Sequence, residues 1–493
     1  MAPRRRDDDP AREIEDQVEA LGAPETSSPL PSGALASAAA GPARVEAGPG
    51  RRTDREIWSL AWPVILSQVL ASFVGLVDIA MVGRLSRDAV AAVGYVTQYL
   101  WLVQSVLFAV GIACVALMAR AIGAGAPARA RQALSASIVL AFAIALAVTG
   151  VALLLPGALL RLLEAEAGVV ALGVPYLRLT LGSTPLLAAA IVIESALRAD
   201  RDTRTPLLIA SAATVVKTAL NALLIFGTLG FPRLELVGAG LATVAAQVVA
   251  LGLFVAASRA RERGSPLRVS RRDLLAARPR LGEVTRLALP AVAERVVMNA
   301  AMMAYFTFIG RYGTAALAAY TIGIRLLSFS WIPGIGFSIA ASTLVGQALG
   351  ARDPQGAQRA GWRAVYLALG VSVVLGGLFA AGRVPVARAF TSDLGVVAEL
   401  GPFMLVLALA QPFMGLHFTL GGALRGAGDT VTPLLAATLG NWALRVPLAF
   451  LCAAVLRTPV IWLWCTLVLD HLARALWMLW SFQRGRWREN LGS

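Results

Sequence analysis

Three polar side chains stand inside apolar runs where they could move a proton: Asp78, Lys217 and Asn221. Lys217 is the one lysine among 44 basic residues, and the remainder are arginine, a bias that resembles a GC-rich bacterial coding sequence. Lys217 and Asn221 stand four residues apart, so on a helix they share one face. They precede Gly227 by ten and six residues, and Asp78 precedes Gly83 by five. At helical rise this puts them roughly 15, 9 and 7–8 Å below the outer ends of their runs. A lysine extends its amine along its stem, so Lys217 can reach up toward Asp78. Ionisable groups at membrane depth are costly and are functional candidates for that reason. Two readings are open. In one, the proton content of an Asp78–Lys217 pair changes during a transport cycle, and a proton entering from outside breaks the pair and releases substrate. In the other, the pair is a fixed brace.

A second group of charges lies further on: Glu294, Arg295, Arg325 and Arg445. Glu294 can attract a cationic substrate, carry a proton, or pair with Arg295 or Arg325. Arg445, in Leu444-Arg-Val-Pro447, is expected to satisfy helix-end carbonyls. His417 is either hydrogen-bonded packing or a proton relay, since histidine changes charge near neutral pH. Glu194, Asp470, His471 and Arg474 fall near expected helix ends and are weaker candidates. Tyr305 and Trp331 head a set of apolar and aromatic residues, with Phe73, Trp101 and Met303, expected on helices that face a cleft. Such surfaces can stack on a flat organic cation.

The elements that must hold these residues are helices in a bilayer. The chain of 493 residues is 57% hydrophobic and 15% charged, with mean hydropathy +0.70. Apolar runs of about 20 residues recur, each long enough to cross a hydrocarbon core, and period-two alternation is absent, which excludes a barrel. The net charge of +15 does not imply nucleic acid, because the arginines sit in short loops. Cys114, Cys452 and Cys465 all lie in apolar runs, so no disulfide framework is implied. No apolar core follows the first arginines, so no signal peptide is expected.

The reading is an all-α integral membrane protein of twelve transmembrane helices. Residues 1–56 form a disordered cytoplasmic tail, 57–257 an N-lobe of six helices, 258–286 a cytoplasmic linker, 287–482 a C-lobe of six helices, and 483–493 a cytoplasmic tail. The arginine-rich linker fixes the cytoplasmic side, and both termini fall on it. A constant offset of 227 relates the lobes. Pro63 meets Pro290, Gly123 meets Gly350, Pro127 meets Pro354, and Arg198/Asp202 meet Arg425/Asp429. Each copy has an even number of helices, so the repeats are parallel, with a central cleft between them. The repeated Asp is expected to cap the helix that follows, with the Arg across the turn.

Twelve helices in two parallel lobes, with Pro333-Gly-Ile-Gly-Phe-Ser-Ile-Ala-Ala-Ser-Thr-Leu-Val-Gly-Gln-Ala-Leu-Gly350, Leu424-Arg-Gly-Ala-Gly-Asp-Thr-Val-Thr-Pro433 and Val77-Asp-Ile-Ala-Met-Val-Gly83, resemble the multidrug and toxic compound extrusion (MATE) family, in particular its DinF-like branch. The resemblance covers about residues 57–482. It implies antiport of organic, often cationic compounds against a cation gradient across a bacterial inner membrane. In that branch a first-helix Asp works with an Asn and an Asp four apart on the fifth helix. Asp78 fits, but Lys217 stands where the Asn is expected and Asn221 where the Asp is. A lysine repels sodium, so the coupling expected is to protons, with sodium as the alternative. A flippase for lipid or lipid-linked sugar is a further alternative, favoured by the C-lobe charges. An enzyme is disfavoured: there is no HExxH, GxSxG or Walker loop. No cofactor, metal or nucleic acid is implied. The partners expected are small organic substrates and the bilayer, and a two-lobed monomer suffices.

Overall fold

A computed structural model describes residues 49–262 and 264–489. Every regular element in that range is helical, and twelve helices are long and apolar enough to cross a membrane. They are α1 Pro49–Val82, α2 Arg87–Gly123, α3 Pro127–Leu154, α4 Ala167–Ala199, α5 Arg204–Phe226 and α6 Glu235–Arg259 in the N-lobe. The C-lobe has α7 Arg278–Tyr312, α8 Thr314–Gly350, α9 Pro354–Phe390, α10 Leu394–Gly426, α11 Val431–Val455 and α12 Val460–Arg484. With no water in the bilayer core, helices satisfy their own backbone groups, which is why the apolar runs take this form.

Several boundaries differ from the expectation. Residues 1–48 of the expected tail lie outside the described residues, but 49–56 belong to α1. Likewise α7 starts at Arg278, inside the expected linker, which also holds a short helix Arg271–Leu275. There the Ser270 side chain accepts from the Asp273 N–H while the Asp273 side chain accepts from the Ser270 N–H. Beyond α12, the Trp487 ring is buried and its indole donates to Phe482 O at 2.9 Å, so this part of the expected tail is packed. Polar composition marks where a helix leaves the membrane, not where its hydrogen bonds end. Hydropathy therefore underestimated these helices.

The repeat reappears as repeated turn chemistry. Asp202 Oδ1 accepts from Thr205 N and Asp429 Oδ1 from Thr432 N, both at 2.9 Å. Their second oxygens accept from the hydroxyls of the same threonines. The arginines do not complete these turns. Arg198 pairs with Glu194 and Arg425 with Glu294, while Asp202 meets Arg261 of the linker. Asp202→Ala and Asp429→Ala should each cost about 1 kcal/mol of stability, the usual value of a lost helix-start acceptor. Thermal unfolding in detergent would register it.

Asp54 pairs with Arg363, Glu56 with Arg201, and Arg131 donates to Gly264 O. The start of α1, the turns after α2, α4, α8 and α10, and the linker therefore gather at one end, here termed the linker side. One large apolar core fills the N-lobe. A second fills the C-lobe half away from the linker. A third joins Ile57, Leu60 and Ala61 of α1 to C-lobe residues near the linker side.

Candidate transport site

In the N-lobe, α1 and α5 bring together the residues singled out by their spacing. Lys217 Nζ donates to Asp78 Oδ2, and Asn221 Nδ2 donates to Asp78 Oδ1 at 2.7 Å. The Lys217 and Asp78 side chains each keep 23% of their surface exposed, whereas Asn221 is buried. The ion pair is therefore partly exposed, while the buried amide holds the other carboxylate oxygen. Asn221 Oδ1 has no hydrogen-bond donor among the described residues. Tyr176 of α4 lies within electrostatic reach of Asp78. Among the described residues, no three His, Cys, Asp or Glu side chains converge as metal ligands.

The lobes meet on the linker side. There α2 and α8 cross so closely that a Cβ on Gly123 would lie 1.9 Å from the Gln347 carbonyl oxygen, and one on Gly350 would lie 2.0 Å from that of Arg120. Residues 120 and 347 are related by the repeat offset, as are 123 and 350, so the contact is self-complementary about the pseudo-two-fold axis. Gln347 Nε2 donates to Ala199 O at 2.7 Å, and Thr343 Oγ1 to Arg198 O at 3.0 Å. Arg201 Nε donates to Gln347 Oε1 at 2.5 Å, and Arg120 to Ala427 O. In the neighbouring turn, burial pushes the Asp200 carboxyl above the ordinary carboxylate range, with Arg261 opposing. Among the described residues, the hydrogen bonds and ion pairs that join the lobes all lie at this end. The cleft is shut on the linker side.

The C-lobe charges pair differently from expectation. Arg425 Nη2 donates to both oxygens of Glu294, at 2.6 and 2.8 Å. Neither Arg295 nor Arg325 is Glu294's ion-pair partner. His417 is not a lone histidine: its Nε2 lies 3.1 Å from His471 Nδ1 and the two rings stack. Beside them, Asp470 is fully buried and accepts from Arg474 Nε and Nη2 at 2.6 and 2.7 Å. Arg445 does not serve helix-end carbonyls. Its guanidinium lies 4.1 Å from the Tyr305 ring centroid, 3.5 Å from the Tyr320 hydroxyl and 3.9 Å from Asp470 Oδ2. The expectation that Asp470, His471 and Arg474 sit near a helix end fails because they lie well inside α12. Gly440, in the π-helical turn Leu439–Arg445 of α11, makes the room, since a Cβ there would lie 2.1 Å from Asp470 Oδ1.

The MatE family profile matches residues 63–223 and again 290–451, two copies whose starts stand at the repeat offset. The chain belongs to the MATE family. A probable multidrug resistance protein NorM of Bradyrhizobium diazoefficiens is 30% identical over 418 residues, covering 81% of this chain and 86% of its own. One from Thermotoga maritima is 28% identical over 439 residues, covering 88% and 93%. The solved Vibrio cholerae MATE transporter VcmN in its bent form superposes with a TM-score of 0.82 at 21% identity, over 90% and 98% of the two chains. An outward-facing multidrug resistance MATE transporter of the MOP superfamily gives 0.81 at 20% identity, over 89% and 97%. As a MATE protein the chain is a multi-pass membrane transporter and not an enzyme.

Within this MATE chain the apolar candidates separate by burial. Phe73, Trp101 and Met303 are exposed, at 63%, 55% and 74%. Tyr305 is fully buried, donates to Leu463 O at 2.8 Å and lies under Arg445, so it offers no surface to a cleft. Trp331 is half-buried against the C-lobe core. Sequence reasoning missed Arg178, an exposed arginine well inside α4. It also missed the locking roles of Arg120 and Gln347, although their repeat relation was the available signal.

Proposed function

We propose that the protein is a secondary antiporter that exports small organic compounds in exchange for protons, by alternating access between its two lobes. The observation that carries the reading is the partly exposed Asp78–Lys217 pair buttressed by Asn221. A proton delivered to Asp78 removes the charge that holds Lys217, so the pair opens. Restoring the pair expels the proton. Sodium is disfavoured because the one carboxylate here already faces an ammonium. The arginine-rich linker side is the cytoplasmic side of a bacterial inner membrane, by the positive-inside bias, and the closed linker end corresponds to an outward-open state. Both lobes belong to one chain, so a monomer forms the whole path.

The test is norfloxacin movement in inverted vesicles, energised separately by proton and sodium gradients. Proton-driven movement is expected in the wild type and should fall to the level of empty vesicles in Lys217→Ala at equal protein content. Sodium-driven movement, or unchanged pH-driven movement in the variant, would overturn the assignment.

A further inference from the structure

We propose that the cleft binds the anionic group of its substrate, a carboxylate or phosphate on an amphiphilic organic body, through Arg295 and Arg325. This deepens the transport reading above and rests on it.

The argument starts from helix faces. At roughly 100° per residue, Arg325, Ile332, Gly336, Thr343, Gln347 and Gly350 fall within about 40° of one line along α8. The inner part of that line touches the N-lobe: Gly336 abuts Ile65 and Ala61, Thr343 bonds Arg198 O, and Gly350 abuts Arg120. The Arg325 end of the same line is exposed. Arg325 therefore looks across the gap between the lobes. The same construction holds for α7. Leu281, Val284 and Ala288 lie within about 40° of Arg295 on the helix surface, and they pack into the N-lobe core. Arg295, further along that face, is exposed and lies within electrostatic reach of the Glu294–Arg425 pair.

Charge counting then selects the ligand. Asp78 is neutralised by Lys217, and Glu294 by Arg425. Arg295 and Arg325 have no ion-pair partner among the described residues. The repeat offset relates them to Gln68 and Gln98 of the N-lobe, which are polar but neutral. One wall of the cleft is thus cationic and the equivalent positions of the other are not. Unpaired guanidiniums at membrane depth are tolerated where water or a counter-charge reaches them, and a bidentate carboxylate or phosphate is the group they fit. A cation entering this cleft would meet two like charges.

Fluorescein and rhodamine 123 share a xanthene frame and carry opposite net charge at neutral pH. Their equilibrium binding to purified protein in phosphatidylcholine nanodiscs, read by anisotropy, needs no gradient, so it succeeds or fails independently of the transport reading. Fluorescein should bind at least about tenfold more tightly. The preference should vanish in Arg295→Gln/Arg325→Gln, which copies the N-lobe residues, and survive in Arg295→Lys/Arg325→Lys, which also controls for folding. Tighter rhodamine binding to the wild type, or an undiminished preference in the glutamine variant, would overturn the proposal. Competition by glycerol 3-phosphate would identify a soluble anion as the source, and competition by added phosphatidylglycerol alone a lipid headgroup. Competition by neither would count against an anion site.

Discussion

Replacing Gly123 with leucine is expected to hold the linker side of the cleft open. In the closed arrangement even a Cβ at this position would lie 1.9 Å from a backbone carbonyl oxygen, and a backbone cannot rotate away as a side-chain tip can. Close helix crossings in membranes depend on small residues for this reason. Gly350 occupies the equivalent place, 2.0 Å from the Arg120 carbonyl, so Gly350→Leu should act in the same direction. Overpacking of this kind costs roughly 1–3 kcal/mol. Charged only to the closed state, it lowers that state's population relative to the open one by roughly 5- to 150-fold. The substitution also separates Gln347 from Ala199 O and Arg120 from Ala427 O, so the hydrogen bonds across the seam are lost together. Spin labels on Ala128→Cys and Gln355→Cys, exposed positions related by the repeat at the starts of α3 and α9, would report the opening as a longer distance. The free cysteines Cys114, Cys452 and Cys465 must first be replaced. An unchanged distance in a folded Gly123→Leu protein would mean that the glycine seam does not control closure. Gly123→Ala supplies a smaller step in the same series.

The second large effect should come from Asp470, a residue with no surface at all. Among the described residues it is the one acid paired with the buried guanidiniums of Arg474 and Arg445, at 2.6 and 3.9 Å. Removing one member of a buried ion pair leaves a charge without compensation, which costs about 3–5 kcal/mol. Asp470→Ala should therefore destabilise the C-lobe strongly, visible as a lower midpoint in thermal or denaturant unfolding in detergent. Asp470→Leu/Arg474→Met removes the closer pair together and should be the milder change. Equal stability of Asp470→Ala and the wild type would show that the network contributes no net stability. The stacked pair His417 and His471 sits against this network, and both rings are nearly inaccessible, at 6% exposure each. Their part in the protein is accordingly read as structural.

The sequence by itself determined the membrane class, the helical spans, the repeat and the height of Asp78, Lys217 and Asn221. All of these follow from local rules. Hydropathy selects the spans, Pro and Asp mark their starts, and a four-residue spacing places Lys217 and Asn221 on one face whatever lies opposite. The offset that relates Gly123 to Gly350 was visible as letters, and its consequence became visible once α2 was seen to cross α8. Beyond the Asp78–Lys217 pair, tertiary structure decided which charges meet. Glu294 and Arg425 are 131 residues apart, and His417 and His471 are 54 apart, so no periodicity relates them. Glu294's expected partners Arg295 and Arg325 lost to Arg425 on a packed neighbour, whereas Arg198 pairs inside its own helix with Glu194, because an ion at membrane depth pairs with whatever charge the packing brings within reach. The same holds for Arg295 and Arg325. Their identity is sequence, but that each stands exposed with no ion-pair partner among the described residues was decided by the packing.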